Sequence, residues 1–228
     1  MIRTVIFDID GTLYNYGSAH KDGLAAVSEY LRKKEGWSNE QFSQAYQTAF
    51  DALNRQAKGT AASHNRLIRF SMLASENGLR ESDALAMDEL YWGEFMRNIS
   101  PFPFLREAMD DLKEAGLKIG AGTNMTAYVQ YLKLRKLGLL DSFDFVLTSE
   151  EALEEKPREG FFRRCCERAE CLPHECLFIG DEMEKDVIGA LRSGMHALLY
   201  SPDGTGAEDS SLLLRSYGDL AEKIRITA

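Results

Sequence analysis

The stretch Thr4-Val5-Ile6-Phe7-Asp8-Ile9-Asp10-Gly11-Thr12 decides the reading of this chain. Its first four residues form a short apolar strand bounded by acids. Two carboxylates two residues apart then sit at the strand's carboxyl end, and Gly11 permits the turn that lets both face one cavity. One of them can attack as a nucleophile while the other handles protons. Two other readings compete: a solvated turn with capping acids, and a calcium loop. The calcium loop fails on register, because its sixth position wants glycine and, counting from Asp8, holds Leu13.

Four further runs share the look of the first strand: Leu117 to Ala121, Phe143 to Leu147, Cys176 to Ile179 and His196 to Tyr200. Amphipathic helical patterns separate them. Leu105, Met109 and Leu112 recur at helical spacing before Gly116, Tyr128 to Leu137 ends at Gly138, and Phe161 to Ala169 and Asp186 to Arg192 follow. Such alternation predicts an α/β fold, a Rossmann-like parallel sheet with helices on both faces. From about Ser18 to Asn98 no strand pattern appears. Four helical patterns replace it: Leu24-Val27-Tyr30-Leu31, Phe42 to Leu53, Leu67-Phe70-Leu73-Ala74 and Leu85-Leu90-Trp92-Phe95. They predict a four-helix insertion. The expected domains are 1–16 with 99–228 for the α/β core, and 17–98 for the inserted helices. Ser201 to Ser211 is polar and glycine-rich and is expected to be a loop.

Composition sets outer limits. With 228 residues and 44% hydrophobic content the chain can bury a core, so neither a disordered tail nor a disulfide-stapled mini-protein is expected. The net charge of -9 argues against a partner that is a nucleic acid polymer. No run of 18 apolar residues exists, so no membrane span is expected. Asp8 and Asp10 interrupt any signal-like apolar run at the start. Cys165, Cys166, Cys171 and Cys176 lack a paired C-x-x-C ligand pattern, and read as reduced thiols in a helix and the strand after it. A cytoplasmic protein is the expectation. The sequence does not speak to the oligomeric state.

Three more features stand at predicted strand ends, where open α/β sheets gather their sites. Gly122-Thr123-Asn124 offers a hydroxyl and main-chain N–H groups at a helix start, which suits an anion, though a threonine there also serves as a helix cap. The surrounding Gly120-Ala121-Gly122 ends in Met125 and lies mid-chain, so a dinucleotide fingerprint is not expected. Lys156-Pro157 places a cation where proline is expected to open a helix; the lysine supplies charge to a phosphate or is simply solvated. Gly180-Asp181-Glu182-Met183-Glu184-Lys185-Asp186 carries several oxygen ligands of the kind Mg²⁺ takes, or an acidic helix start that the macrodipole favours. Each alone is ambiguous. Acid pair, hydroxyl, lysine and acid cluster in succession, each after its own strand, are not.

With these residues in place the chain resembles the haloacid-dehalogenase-like hydrolases. Asp8-x-Asp10-x-Thr12, Thr123, Lys156 and Gly180-Asp181-x-x-x-x-Asp186 look like that superfamily's four motifs, over about residues 2 to 200, and the inserted helices match the position of its helical cap. The resemblance implies roles. Asp8 would form an aspartyl-phosphate, and Asp10 would protonate the leaving oxygen and then activate water. Thr123, Asn124 and Lys156 would bind the phosphoryl group, with Thr123 and Lys156 also catalytic. Asp8, the main-chain carbonyl of Asp10 and Asp181 would hold Mg²⁺, with Asp186 and Glu182 behind them. Taking Asp8, Asp181 and Asp186 as ionised, Asp10 as protonated and Lys156 as charged leaves about two net negative charges, which would repel a phosphate dianion unless a metal cancels them.

Within that superfamily, the acid at Asp10 favours phosphoryl transfer, because a poor alkoxide leaving group needs a proton and halide does not. A haloacid hydrolase is therefore the weaker reading. Phosphonate cleavage would need an imine-forming cap lysine, and Lys21, Lys33, Lys34 and Lys58 have no evident apolar setting. A phosphomutase shares the core chemistry and remains an alternative, as does, more remotely, a binding module without turnover. An acceptor domain phosphorylated on aspartate would lack the insertion. A bundle closing over the site would demand a small phosphorylated substrate, a nucleotide or a sugar phosphate among the options. Candidate contacts to its leaving group are Tyr14, Tyr16, His20, Tyr46, His64, Arg66, Arg69 and Trp92, most of them expected to be bundle core or surface.

Overall fold

The computed structural model describes residues 1–227. In chain order the elements begin with β1 (Thr4–Phe7), α1 (Tyr16–Glu35), α2 (Asn39–Gln56), α3 (Arg66–Glu76) and α4 (Glu81–Arg97). They continue with α5 (Leu105–Glu114), β2 (Lys118–Thr123), α6 (Ala127–Leu137), β3 (Phe145–Thr148), α7 (Ser149–Ala152) and α8 (Glu159–Ala169). The last are β4 (Cys176–Gly180), α9 (Gly189–Arg192), β5 (His196–Tyr200), β6 (Leu213–Leu214) and α10 (Leu220–Thr227). The chain divides into two compact units, Met1–Asn15 with Ser100–Ala228, and Tyr16–Ile99. Among the described residues no helix is long and apolar enough to cross a membrane.

The first unit is built on one parallel sheet of order β3-β2-β1-β4-β5-β6. Strand order reverses between β1 and β4, and the crevice beyond the carboxyl ends at such a switch point is where doubly wound sheets bind ligands. Register aligns those ends: Phe7 lies opposite Ala121 of β2 and Ile179 of β4. The residues that follow β1, β2 and β4 therefore emerge side by side. One side of the sheet is covered by α8 and α9, where Phe161, Phe162, Phe178 and Val187 are fully buried. Burying each such side chain contributes roughly 1.5–3 kcal/mol. The thiols of Cys165, Cys166 and Cys176 lie in this core, and all four cysteines are free.

Several local expectations are corrected. Pro157 does not open α8, which starts at Glu159 after an extended Arg158. The Asn124 side chain pins both the N–H and the carbonyl of Lys156, so the chain turns before the helix begins. The helix expected from Asp186 instead starts as a wide π-type turn, Met183–Ile188, that runs into α9. Such turns are frequent at functional sites. The sequence does not signal β6, because two residues carry no periodicity, and the eight-residue α10 is a further element beyond the expected ones.

In the second unit, Ser38 and Gln41 form a reciprocal capping box at the start of α2, and Asn65 caps α3 through the Ile68 N–H. On α4 the expected apolar face holds at Phe95 and fails at its two leucines. Leu85 and Leu90 are exposed, and the buried apolar positions are Ala84, Met87, Tyr91 and Phe95. Those four keep the three- and four-residue spacing of one helix face, which a five-residue step from 85 to 90 cannot. On α3, Leu67 is exposed while Arg66 and Arg69 are buried beside Phe70, Leu73 and Ala74.

Candidate active site

Asp8 is the first residue past β1, and its N–H bonds the Ile179 carbonyl at 2.8 Å, so the neighbouring strand fixes where its carboxylate starts. Lys156 reaches it from the turn before α8. The ammonium is 2.9 Å from Asp8 Oδ1 and 2.7 Å from Asp186 Oδ1, and it donates to the Gly122 carbonyl at 3.2 Å. Carboxylate oxygens of Asp8, Asp181 and Asp186 all lie within 4.8 Å of one another. Thr12 Oγ1 donates to Asp181 at 3.3 Å, and the Glu182 N–H donates to Asp186 Oδ2 at 2.9 Å. Gly11 has φ +81°, and a Cβ there would collide with the Asp181 carboxylate. The turn after β1 and the turn after β4 are thus packed as closely as glycine allows.

Charge crowding shows in the proton affinities. Burial raises the Asp8 carboxyl to about 6 against the pull of Lys156, with Asp186 adding to the rise. Burial, then Asp8 and Asp186, push Asp181 to about 8. Burial works against the Lys156 ammonium, but Asp186 and Asp8 outweigh it and raise its affinity for the proton. Three carboxylates around one lysine, all hard oxygen donors, form a set that fits a divalent cation such as magnesium or calcium. Asp186 brings one oxygen to this cluster and is itself held by the Lys156 ammonium and the Glu182 N–H.

Asp10 lies elsewhere than the charge count assumed. Its side chain turns to α6, where the Lys133 ammonium is 2.7 Å from both carboxylate oxygens. Gln130 Nε2 donates to Asp10 Oδ2 at 3.2 Å, and Tyr14 donates its phenol proton to Oδ1. Burial alone would raise Asp10, but Lys133 and these hydrogen bonds hold it below the usual carboxylate range. Asp10 is therefore ionised at rest, not protonated. With all four carboxylates ionised, as a bound cation would hold them, four against two lysines again leaves about two negative charges; without a cation the raised affinity of Asp181 keeps a proton in the cluster at neutral pH.

Lys133 was missed. It lies on a helix with a lysine- and arginine-rich pattern, in which one buried lysine looks like its solvated neighbours; its own exposure is 0%. Gln130, one turn earlier, was missed for the same reason. Its amide ties Asp10 to Thr123, donating to Thr123 Oγ1 at 2.8 Å. Thr123 itself closes β2 and is buried. Asn124 is committed to the Lys156 main chain, with bonds of 3.2 Å and 2.9 Å. Glu182 turns its carboxylate outward to Lys185 at 2.8 Å, and only its main chain serves Asp186.

The family model for "haloacid dehalogenase-like hydrolase" matches residues 2–194. A ribulose-1,5-bisphosphate 5-phosphatase of Halopiger xanaduensis is 35% identical over 89% of this chain and 86% of its own. A glyceraldehyde 3-phosphate phosphatase of Methanothermobacter thermautotrophicus is 30% identical over 91% and 89%. Among solved structures, a phosphatase of the same family from Thermococcus onnurineus superimposes with a TM-score of 0.77, at 25% identity and 98% coverage of both chains.

Proposed function

The chain belongs to the haloacid dehalogenase-like hydrolases, and we propose that within them it is a Mg²⁺-dependent cytoplasmic phosphatase of small sugar phosphates, working through an aspartyl-phosphate on Asp8. The observation that carries this reading is the pair of carboxylates with separate partners: Asp8 on Lys156, and Asp10 on Lys133. The substrate class rests on the two phosphatases just described, and the compartment on four free thiols.

An Asp8 oxygen attacks phosphorus, the P–O bond to the leaving group breaks, and the leaving oxygen takes a proton from Asp10. Asp10 is ionised at rest, and an arriving phosphate dianion raises its proton affinity, so it gains that proton as substrate binds. Lys133 favours the carboxylate again once the proton has left. Asp10 then removes a proton from water, which attacks phosphorus and frees Asp8 and inorganic phosphate. Lys156 neutralises a phosphoryl oxygen. Thr123 already accepts from Gln130, so its own proton is available to another phosphoryl oxygen. Asn124 acts through Lys156, whose main chain it holds. Asp8, Asp181 and the Asp10 carbonyl would hold a divalent cation, which would supply the positive charge this site lacks.

The test is release of inorganic phosphate from a panel of triose, pentose and hexose phosphates and nucleoside monophosphates, with Mg²⁺ and with chelator. Metal-dependent release, highest on sugar phosphates, is expected. No release from any ester by folded, Mg²⁺-supplied protein would defeat the reading.

A further inference from the structure

The helical unit buries charge of the opposite sign. Arg66 and Arg69 stand one turn apart on α3, with exposures of 6% and 2%. A guanidinium stays charged, so burying one is costly unless an anion pairs with it. Both instead bond neutral oxygens. Arg66 donates to the His64 carbonyl at 2.9 Å and to the Tyr16 hydroxyl at 2.6 Å. Arg69 donates to the Tyr46 hydroxyl at 2.7 Å and to the Ser63 carbonyl at 3.1 Å. The Nε–H of each is buried and has no acceptor.

Aromatic rings complete the surroundings. The Arg66 guanidinium lies 5.5 Å from the centre of the Tyr91 ring and 6.0 Å from that of Trp92, and the Arg69 guanidinium 4.5 Å from that of Phe50. Ring faces soften the cost of burial without supplying a full negative charge. The Asp88 carboxyl feels the pull of Arg66, yet burial outweighs it and raises that carboxyl to about 6. Burial and the charge of Arg66 lower the proton affinity of Arg69. Two like charges, two idle N–H donors and a ring of hydroxyls share one small region.

We propose that Arg66 and Arg69, with the phenols of Tyr16 and Tyr46, form an anion site inside the helical unit that takes an oxyanion, a phosphate or carboxylate group. An oxyanion would accept from both Nε–H groups and cancel the repulsion between the guanidiniums, as bidentate arginine pairs do. Its source is either a second acidic group on the substrate or free inorganic phosphate. Only the first source rests on the phosphatase reading.

The experiment uses the full chain in excess chelator, where the core site carries its unbalanced negative charge and repels phosphate. Inorganic phosphate is titrated by calorimetry and by the arginine Nε–Hε signals in nuclear magnetic resonance. Saturable binding is expected, with two slowly exchanging arginine signals shifting, and roughly tenfold weaker binding in Arg69→Gln and in Arg66→Gln. No saturable binding by wild type, or binding that persists unweakened in both folded variants, overturns the proposal. If the variants do not fold, the wild-type arginine signals decide: signals from Arg66 and Arg69 that stay still overturn it. A second arm, with Mg²⁺, compares kcat/KM for a phosphate ester bearing a second acidic group with its one-acid analogue. A preference of about tenfold or more that shrinks in Arg69→Lys assigns the substrate as source; no preference, with phosphate binding intact, assigns free phosphate. Absence of all turnover would count against the phosphatase reading and leave the first arm standing.

Discussion

The two buried polar clusters of this chain are unbalanced in opposite directions. After β1 and β4, four carboxylates face two lysines. On α3, two arginines face hydroxyls, carbonyls and rings. Folding alone does not favour either arrangement, since each leaves charge uncompensated in a poorly solvated place. The sign of the imbalance indicates the ligand: a cation for the first cluster, an anion for the second. The first has a strand register to hold its members. The second depends on one face of one helix.

Asp8→Asn should lower phosphate release by at least about a thousandfold, as removal of a covalent nucleophile does. Removing one of the crowded negative charges should at the same time stabilise the metal-free protein. A melting temperature below that of wild type in chelator would contradict the charge imbalance.

Lys133→Met comes next. It leaves the Asp10 carboxylate buried without its counter-ion, which should cost about 3 kcal/mol, read by denaturant melts at neutral pH. Turnover should fall about ten- to hundredfold with KM little moved, because Asp10 acts on the leaving oxygen and not on binding. A variant that loses affinity and keeps kcat would make Lys133 a binding residue instead.

Gly11→Ala sharpens the geometry of the cation side. The positive φ and the collision with Asp181 should together cost about 1–3 kcal/mol. Half-saturation by Mg²⁺ should rise several-fold, as a metal titration of activity would read. Unchanged metal dependence would remove Asp181 from the ligand set.

The smallest effect belongs to Asp88 on the arginine side. Burial raises its carboxyl from 3.8 to about 6, so the folded chain holds that proton more tightly than the unfolded one. Its contribution to stability therefore falls as pH rises from about 4 to about 6, and the penalty persists above. Asp88→Asn should flatten that part of the melting-temperature profile by a degree or two, small because the group is only half-buried. An identical profile in the variant would mean that Asp88 titrates as an ordinary surface acid.

How much was legible differs between the clusters. Asp8, Asp10, Thr123, Lys156 and Asp181 were readable because each follows a strand or a turn that announces itself by an apolar run and a glycine or proline. Lys133 and Gln130 were not, because a helix pattern marks which face is apolar and does not reveal that a lysine on it reaches a carboxylate more than a hundred residues away. Arg66 and Arg69 were visible as candidates, but the expected apolar face of α3 included Leu67, which is exposed. Hydropathy assigns arginine outward, and only the rings and hydroxyls gathered from α1, α2 and α4 hold these two inside.

By itself the sequence determined the alternation of strands and helices, the four-helix insertion and the order of acid, hydroxyl, lysine and acid. These are local, and are written in periodicity and turn chemistry. Tertiary structure decided which charges meet: Lys133 on Asp10, Glu182 turned away to Lys185, Asn124 on the main chain of Lys156, and two arginines facing phenols. The physical reason is that proton affinity and ion pairing depend on distance and burial, and both arise only when segments far apart in the chain are packed together.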